Sequence, residues 1–160
     1  MQRWIKDYAI VGAVALAVVG WFATRPSAPA LQGSAPPVQL VQTDGQPFDL
    51  EAHKGQPVLL VFWAEWCSAC RSQVPDINKL HAQRPDVAII GLAVDSGSEA
   101  KIKARASQEG IAYPIAMADE DLARTYQVSA LPTNIFIDAQ GYVTDAVAGA
   151  MDFEDFNRRL

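Results

Sequence analysis

The segment Val58 to Cys70, VLLVFWAEWCSAC, limits what this chain can become more than any other. Seven apolar residues run unbroken from Val58 to Ala64, the pattern of a strand buried on both faces. Two cysteines separated by two residues follow directly, where a helix is expected to begin. They are the only cysteines in 160 residues, so neither a disulfide framework nor a four-cysteine zinc site can be built. The length suits one domain and some extra chain. Half of the residues are hydrophobic and 19% are charged, a globular balance. The net charge of −5 argues against a nucleic-acid partner, which needs a basic face to replace counterions.

Around that segment the elements alternate. Val38–Val41 and Phe48–Leu50 flank a turn at Asp44-Gly45 and read as a hairpin. After the strand 58–64, a helix is expected from Cys67 to about Gln83, kinked at Pro75. VAIIGLAV, residues 87–94, is a second buried strand, and Asp95-Ser-Gly-Ser opens a helix that Gly110 ends. Tyr113–Met117 reads as a short strand with Tyr113 and Met117 in the core, and Glu120–Tyr126 as a short helix. Asn134–Asp138 and Tyr142–Ala148 are strands joined by a tight turn, and Asp152 caps a last helix. Alternating strands and helices imply parallel crossovers, and the closing pair must be antiparallel. The expected class is α/β: a mixed central sheet with helices on both faces.

The N-terminus has a different character. Residues 8–24, YAIVGAVALAVVGWFAT, carry no charge, and 17 residues is the lower limit for a spanning helix. Residues 1–7, with Arg3 and Lys6, are expected to stay in the cytoplasm as a short N-terminus, and the remainder to be exported. Trp4 and Trp21 bracket the run as interfacial aromatics do. The segment reads as an uncleaved anchor in the inner membrane with the C-terminal domain in the periplasm. A cleaved signal peptide is the rival, with Ala28-Pro29-Ala30 as a poor cleavage site. Residues 25–37, RPSAPALQGSAPP, form a semi-stiff linker. The folded domain is expected over 38–160.

The cysteine pair carries the chemistry. At a helix start, unpaired N–H groups favour the thiolate, the reactive form. Cys67 then attacks a partner's disulfide, and Cys70 resolves the mixed disulfide. Other readings are weaker. A structural disulfide closing so short a loop gives only about 2 kcal/mol. A metal site lacks partners, because the only histidines are His53 and His81 and there is no second cysteine pair. No metal and no cofactor beyond the redox-active pair is expected.

FWAEWCSAC resembles the active-site segment of thioredoxins. Pro75 resembles that fold's helix-kinking proline, and Leu131-Pro132-Thr133 its cis-proline loop facing the cysteines. The resemblance implies a cis Leu131–Pro132 bond that presents backbone to a partner peptide, with Leu131 and Thr133 flanking the contact. Sixty-two positions from Cys70 to Pro132 leave room for an extra βα unit. That insertion, the N-terminal hairpin with HKGQPVLLVFWA, and YPIAMADEDLARTYQVSALPTNIFIDAQGYV are similar to the TlpA/ResA/DsbE-like membrane-anchored thiol–disulfide oxidoreductases. The resemblance covers about Val38 to Tyr142. It implies a thioredoxin-like fold, clients that are disulfide-containing exported proteins, and reduction by a DsbD-type membrane electron donor. Ser68-Ala69 lacks the histidine of strongly oxidising relatives, which favours a reductase over an oxidase or isomerase.

Two departures stand out. Val61 occupies the place of the buried acid of thioredoxins, and Gln73 that of a glutamate in many TlpA-like reductases. A carboxylate beside the thiols moves the proton during exchange. Glu65 is the nearest acid in sequence and is the candidate for that role, with a solvated loop residue as the alternative. Arg71 either adds positive potential near the thiols or is solvated. Trp66 is expected beside the thiols, exposed to a partner, and Trp63 in the core. Peroxide reduction is disfavoured because Ala64 precedes Cys67 by three where a hydroxyl is needed. A copper-binding module lacks the cysteine spacing and a downstream histidine, and a non-catalytic scaffold would be dismissed by loss of activity in Cys67→Ser.

Overall fold

The computed structural model describes residues 33–160. The expected anchor over 8–24 and most of the linker lie outside the described residues. Among the described residues no helix is long and apolar enough to cross a membrane.

The chain runs β1 (Gly33–Ser34), β2 (Gln39–Val41), β3 (Pro47–Asp49), a 3-10 turn (Leu50–His53), β4 (Val58–Trp63), α1 (Ser68–Ser72), α2 (Val74–Gln83), β5 (Ala88–Ala93), α3 (Glu99–Gln108), β6 (Ile115–Met117), α4 (Glu120–Thr125), β7 (Thr133–Ile137), β8 (Tyr142–Ala148) and α5 (Phe153–Arg159). Six strands form one mixed sheet in the order β1-β8-β7-β4-β5-β6, and β2 and β3 pair separately as a hairpin. β4, β5 and β6 are mutually parallel, joined by helical crossovers, while β7 and β8 are antiparallel to their neighbours. The α/β class and the thioredoxin-like arrangement hold.

β4 sits at the centre because both of its faces are apolar. All six of its residues are buried. Leu59, Val61 and Trp63 pack on one side against Ile77 and Leu80 of α2, Ile102 of α3 and Phe156 of α5. Val58, Leu60 and Phe62 pack on the other against Val38, Phe48, Leu50 and Tyr126. Successive side chains point to opposite faces, so a run apolar at every position is what a strand between two cores requires. Each large side chain so buried contributes about 1.5–3 kcal/mol.

Four local readings are corrected. The helix expected from Cys67 to Gln83 is two helices, meeting at Gln73, which is the C-cap of α1 and the N-cap of α2. Pro75 has no N–H to donate to the Arg71 carbonyl, so the first helix cannot continue through it. Asp95 itself does not open the helix: its φ is 46°, and within Asp95-Ser-Gly-Ser it is the last residue, Ser98, that caps α3, accepting from the Lys101 N–H. Met117 is exposed, because β6 is an edge strand. The fold also reaches into the expected linker. Gly33–Ser34 pairs with β8, and the Tyr126 hydroxyl donates to the Pro36 carbonyl at 2.6 Å.

Candidate active site at the end of the central strand

β4 delivers the cysteines. It ends at Trp63, and the Cys67 N–H turns back to the Ala64 carbonyl at 3.1 Å. Cys67 is the N-cap of α1, and its Sγ accepts the Cys70 N–H at 3.1 Å. The two are disulfide-bonded, with Cα atoms 5.3 Å apart. Cys67 is 5% exposed and Cys70 3%, so only a rim of the pair meets solvent. A backbone donor aimed at Cys67 Sγ stabilises charge on that sulfur once the bond is reduced.

A second loop, Asp95-Ser96-Gly97, read in the sequence only as part of a helix start, holds the approach to the pair. The Ser96 hydroxyl is buried, donates to the Val94 carbonyl at 2.8 Å and accepts the Glu65 N–H at 3.0 Å. The Trp66 indole N–H donates to the Asp95 carbonyl at 2.8 Å, while its ring is 57% exposed. The left-handed backbone of Asp95 belongs to the turn that presents this carbonyl. Trp66 is therefore an exposed aromatic held in one place. It shares a groove of about 350 Å³ with Val94, Asp95, Val128 and Leu131.

The Leu131–Pro132 bond is cis. The Pro132 carbonyl accepts the Gly149 N–H at 2.8 Å. Leu131 is half-buried against the apolar cluster that contains both cysteines. Thr133 is buried, and its hydroxyl donates to the Ala130 carbonyl at 2.7 Å, which shapes the loop.

Beneath the pair lies a buried amide couple. The Gln73 amide N–H donates to Asn134 Oδ1 and the Asn134 amide N–H to Gln73 Oε1, both at 3.2 Å. Asn134 also donates to the Gly149 carbonyl at 3.1 Å, and the Met151 N–H to Gln73 Oε1 at 3.4 Å. Gln73 thus ties the helix junction to β7 and to the loop before α5. Asn134 escaped sequence reasoning. Its only trace is a buried-strand position occupied by an amide.

The charged side chains form a chain of pairs beside the site. Glu65 meets Arg105 at 3.6 Å, Arg105 meets Glu109 at 3.3 Å, and Glu109 meets Arg71 at 3.5 Å. Arg71 is therefore paired rather than simply solvated, and the Glu65 carboxylate is turned toward α3. Among the described residues no cluster of His, Cys, Asp or Glu could hold a metal ion.

The chain is similar to several known proteins. The profile of the AhpC/TSA family matches residues 31–146. The thiol-disulfide oxidoreductase ResA of Geobacillus kaustophilus is 31% identical, the match covering 99% of this chain and 95% of that protein. The thioredoxin-like protein YneN of Bacillus subtilis is 30% identical over 79% of this chain and 76% of its own. The crystal structure of a thiol:disulfide interchange protein from Chlorobium tepidum superposes with a TM-score of 0.72 at 30% identity, covering 79% of this chain and 92% of that one.

Proposed function

The chain belongs to the AhpC/TSA family and is a thioredoxin-like thiol–disulfide oxidoreductase; on that premise we propose that it is a membrane-tethered reductase of disulfides in exported proteins. The observation that carries the reading is the Cys67–Cys70 pair itself, nearly buried, with Cys67 Sγ facing a backbone N–H and an exposed, fixed Trp66 beside it. The reduced Cys67 thiolate attacks a client disulfide and forms a mixed disulfide, releasing one client thiolate. Cys70 loses its proton and attacks Cys67 Sγ, so the Cys67–Cys70 bond forms and the second client sulfur leaves. Two electrons have then passed to the client, whose two sulfurs take up two protons.

The client lies extended along the Leu131-Pro132-Thr133 loop, with a side chain in the groove between Trp66 and Leu131. The oxidised pair is returned to the dithiol by a membrane electron carrier of the DsbD type, since the periplasm has no reducing buffer. The uncharged run at 8–24, preceded by Arg3 and Lys6, supports the tether and the exported side.

Cys70→Ser tests the reading. Expressed in the whole cell, it is expected to accumulate mixed disulfides with exported proteins. These adducts should vanish on reduction and be absent from the Cys67→Ser/Cys70→Ser double variant. A Cys70→Ser chain that forms no adducts would contradict the proposal.

A further inference from the structure

Among the described residues, one buried side-chain polar atom has no hydrogen-bond partner: the indole nitrogen of Trp63. Trp63 is 4% exposed, and a buried N–H without a partner is costly and calls for an acceptor. The ring borders a largely enclosed cavity that Cys70 and Glu109 also line. The space open to a water centre there is about 10 Å³, room for a single molecule. Val61 and Gln73, which stand where the resembled families carry a carboxylate, line the same cavity without supplying one, and among the described residues Glu109 is the only carboxylate on its wall. Glu65 does not line it.

We propose that Glu109 is the proton acceptor for Cys70, acting through one water held by the Trp63 indole N–H. The proposal rests on the oxidoreductase reading and completes its second step. A Cys70 thiol must lose its proton before its sulfur can attack Cys67 Sγ. The proton passes from Cys70 to the water, from the water to the Glu109 carboxylate, and from there to solvent, while the electron pair left on Cys70 forms the new S–S bond. Glu109 is suited to the exit because its side chain is partly exposed, at the C-terminal end of α3.

The charged and titratable groups facing Glu109 are Arg71 from α1, Arg105 from its own helix, and Tyr113 across the cavity, with Glu65 one step further through Arg105. Burial pushes the Tyr113 phenol above its ordinary range, so it stays protonated and accepts no proton.

Charge and proton transfer make opposite predictions for Glu109→Gln. By charge alone, removing the anion leaves Arg71 and Arg105 unneutralised, favours the Cys70 thiolate and speeds the step. By loss of the acceptor, the step slows. The test mixes the reduced, detergent-solubilised full chain with excess dithiobis-nitrobenzoate. Attack by Cys67 releases one coloured thiolate, and closure by Cys70 releases the second. The leaving group needs no proton, so the one proton transfer that the second phase contains is that from Cys70.

Glu109→Gln is expected to slow the second phase about tenfold or more near neutral pH and to leave the first phase within about twofold. The difference should close above about pH 9, where a thiol ionises unaided. Glu109→Asp should recover part of the rate, and Trp63→Phe, folded as judged by circular dichroism, should slow the same phase. A second phase that is unchanged or faster in Glu109→Gln would overturn the proposal. So would equal slowing of both phases at every pH, or a Trp63→Phe chain that closes at the wild-type rate. If wild type itself released no thiolate, the oxidoreductase reading would fall, and this proposal with it.

Discussion

Gln73 is almost wholly buried, and its amide is satisfied by Asn134 of β7, a partner sixty-one positions away in sequence. Removing one member of such a couple strands the other without a partner in low dielectric. Asn134→Leu is therefore expected to cost about 1–3 kcal/mol in urea unfolding. The Gln73→Leu/Asn134→Leu double variant should recover much of that loss, because two apolar groups leave no orphaned amide behind. Equal losses in the single and double variants would show that the couple carries no such load. Residue-scale chemistry was unevenly legible. Cys67 and Cys70 declare themselves by their spacing after an apolar run. Asn134, Ser96 and Glu109 do not, because each acts through a partner brought close only by the fold, such as the Glu65 N–H on Ser96.

Among the elements, β5 shows how closely the layer behind the cysteines is packed. A methyl group added at Gly91 would lie 3.0 Å from Ile115 Cγ2, 3.0 Å from Trp63 Nε1 and 3.1 Å from Tyr113 Cε2. Two of these neighbours are rings wedged in the core and lining the small cavity. Gly91→Ala is expected to destabilise by about 1–3 kcal/mol and to perturb Trp63 fluorescence. Unchanged stability would mean that the rings yield freely. β4, β5, β7 and β8 were readable from apolar runs and turn residues. The interruption expected at Pro75 is present, but as a break into two helices meeting at Gln73 rather than a kink in one, because the proline removes the hydrogen bond to the Arg71 carbonyl. The Asp95-Ser-Gly-Ser stretch opens the helix as its composition suggests, but only through Ser98; Asp95 and Ser96 are committed to Trp66 and Glu65 instead.

On the scale of the whole molecule, two apolar layers enclose the sheet, and each contains a buried tyrosine, Tyr113 on one side and Tyr126 on the other. Burial raises both phenols above their ordinary range. Below about pH 10 folded and unfolded chains bind the same phenolic protons, so no stability is at stake. As pH rises past that value the unfolded chain releases protons that the folded chain keeps, and stability falls. Urea unfolding at increasing alkalinity should show this decline, and Tyr113→Phe should flatten it; an identical slope in the variant would refute the assignment. The pair that this sheet supports is assigned one direction of electron flow, from Cys67–Cys70 to the client. Its most direct test is the reduction potential of Cys67–Cys70 in the full chain, followed by Trp66 fluorescence. A reductase is predicted to lie near or below about −230 mV. A value of about −120 to −180 mV would match an oxidase or isomerase and contradict the account.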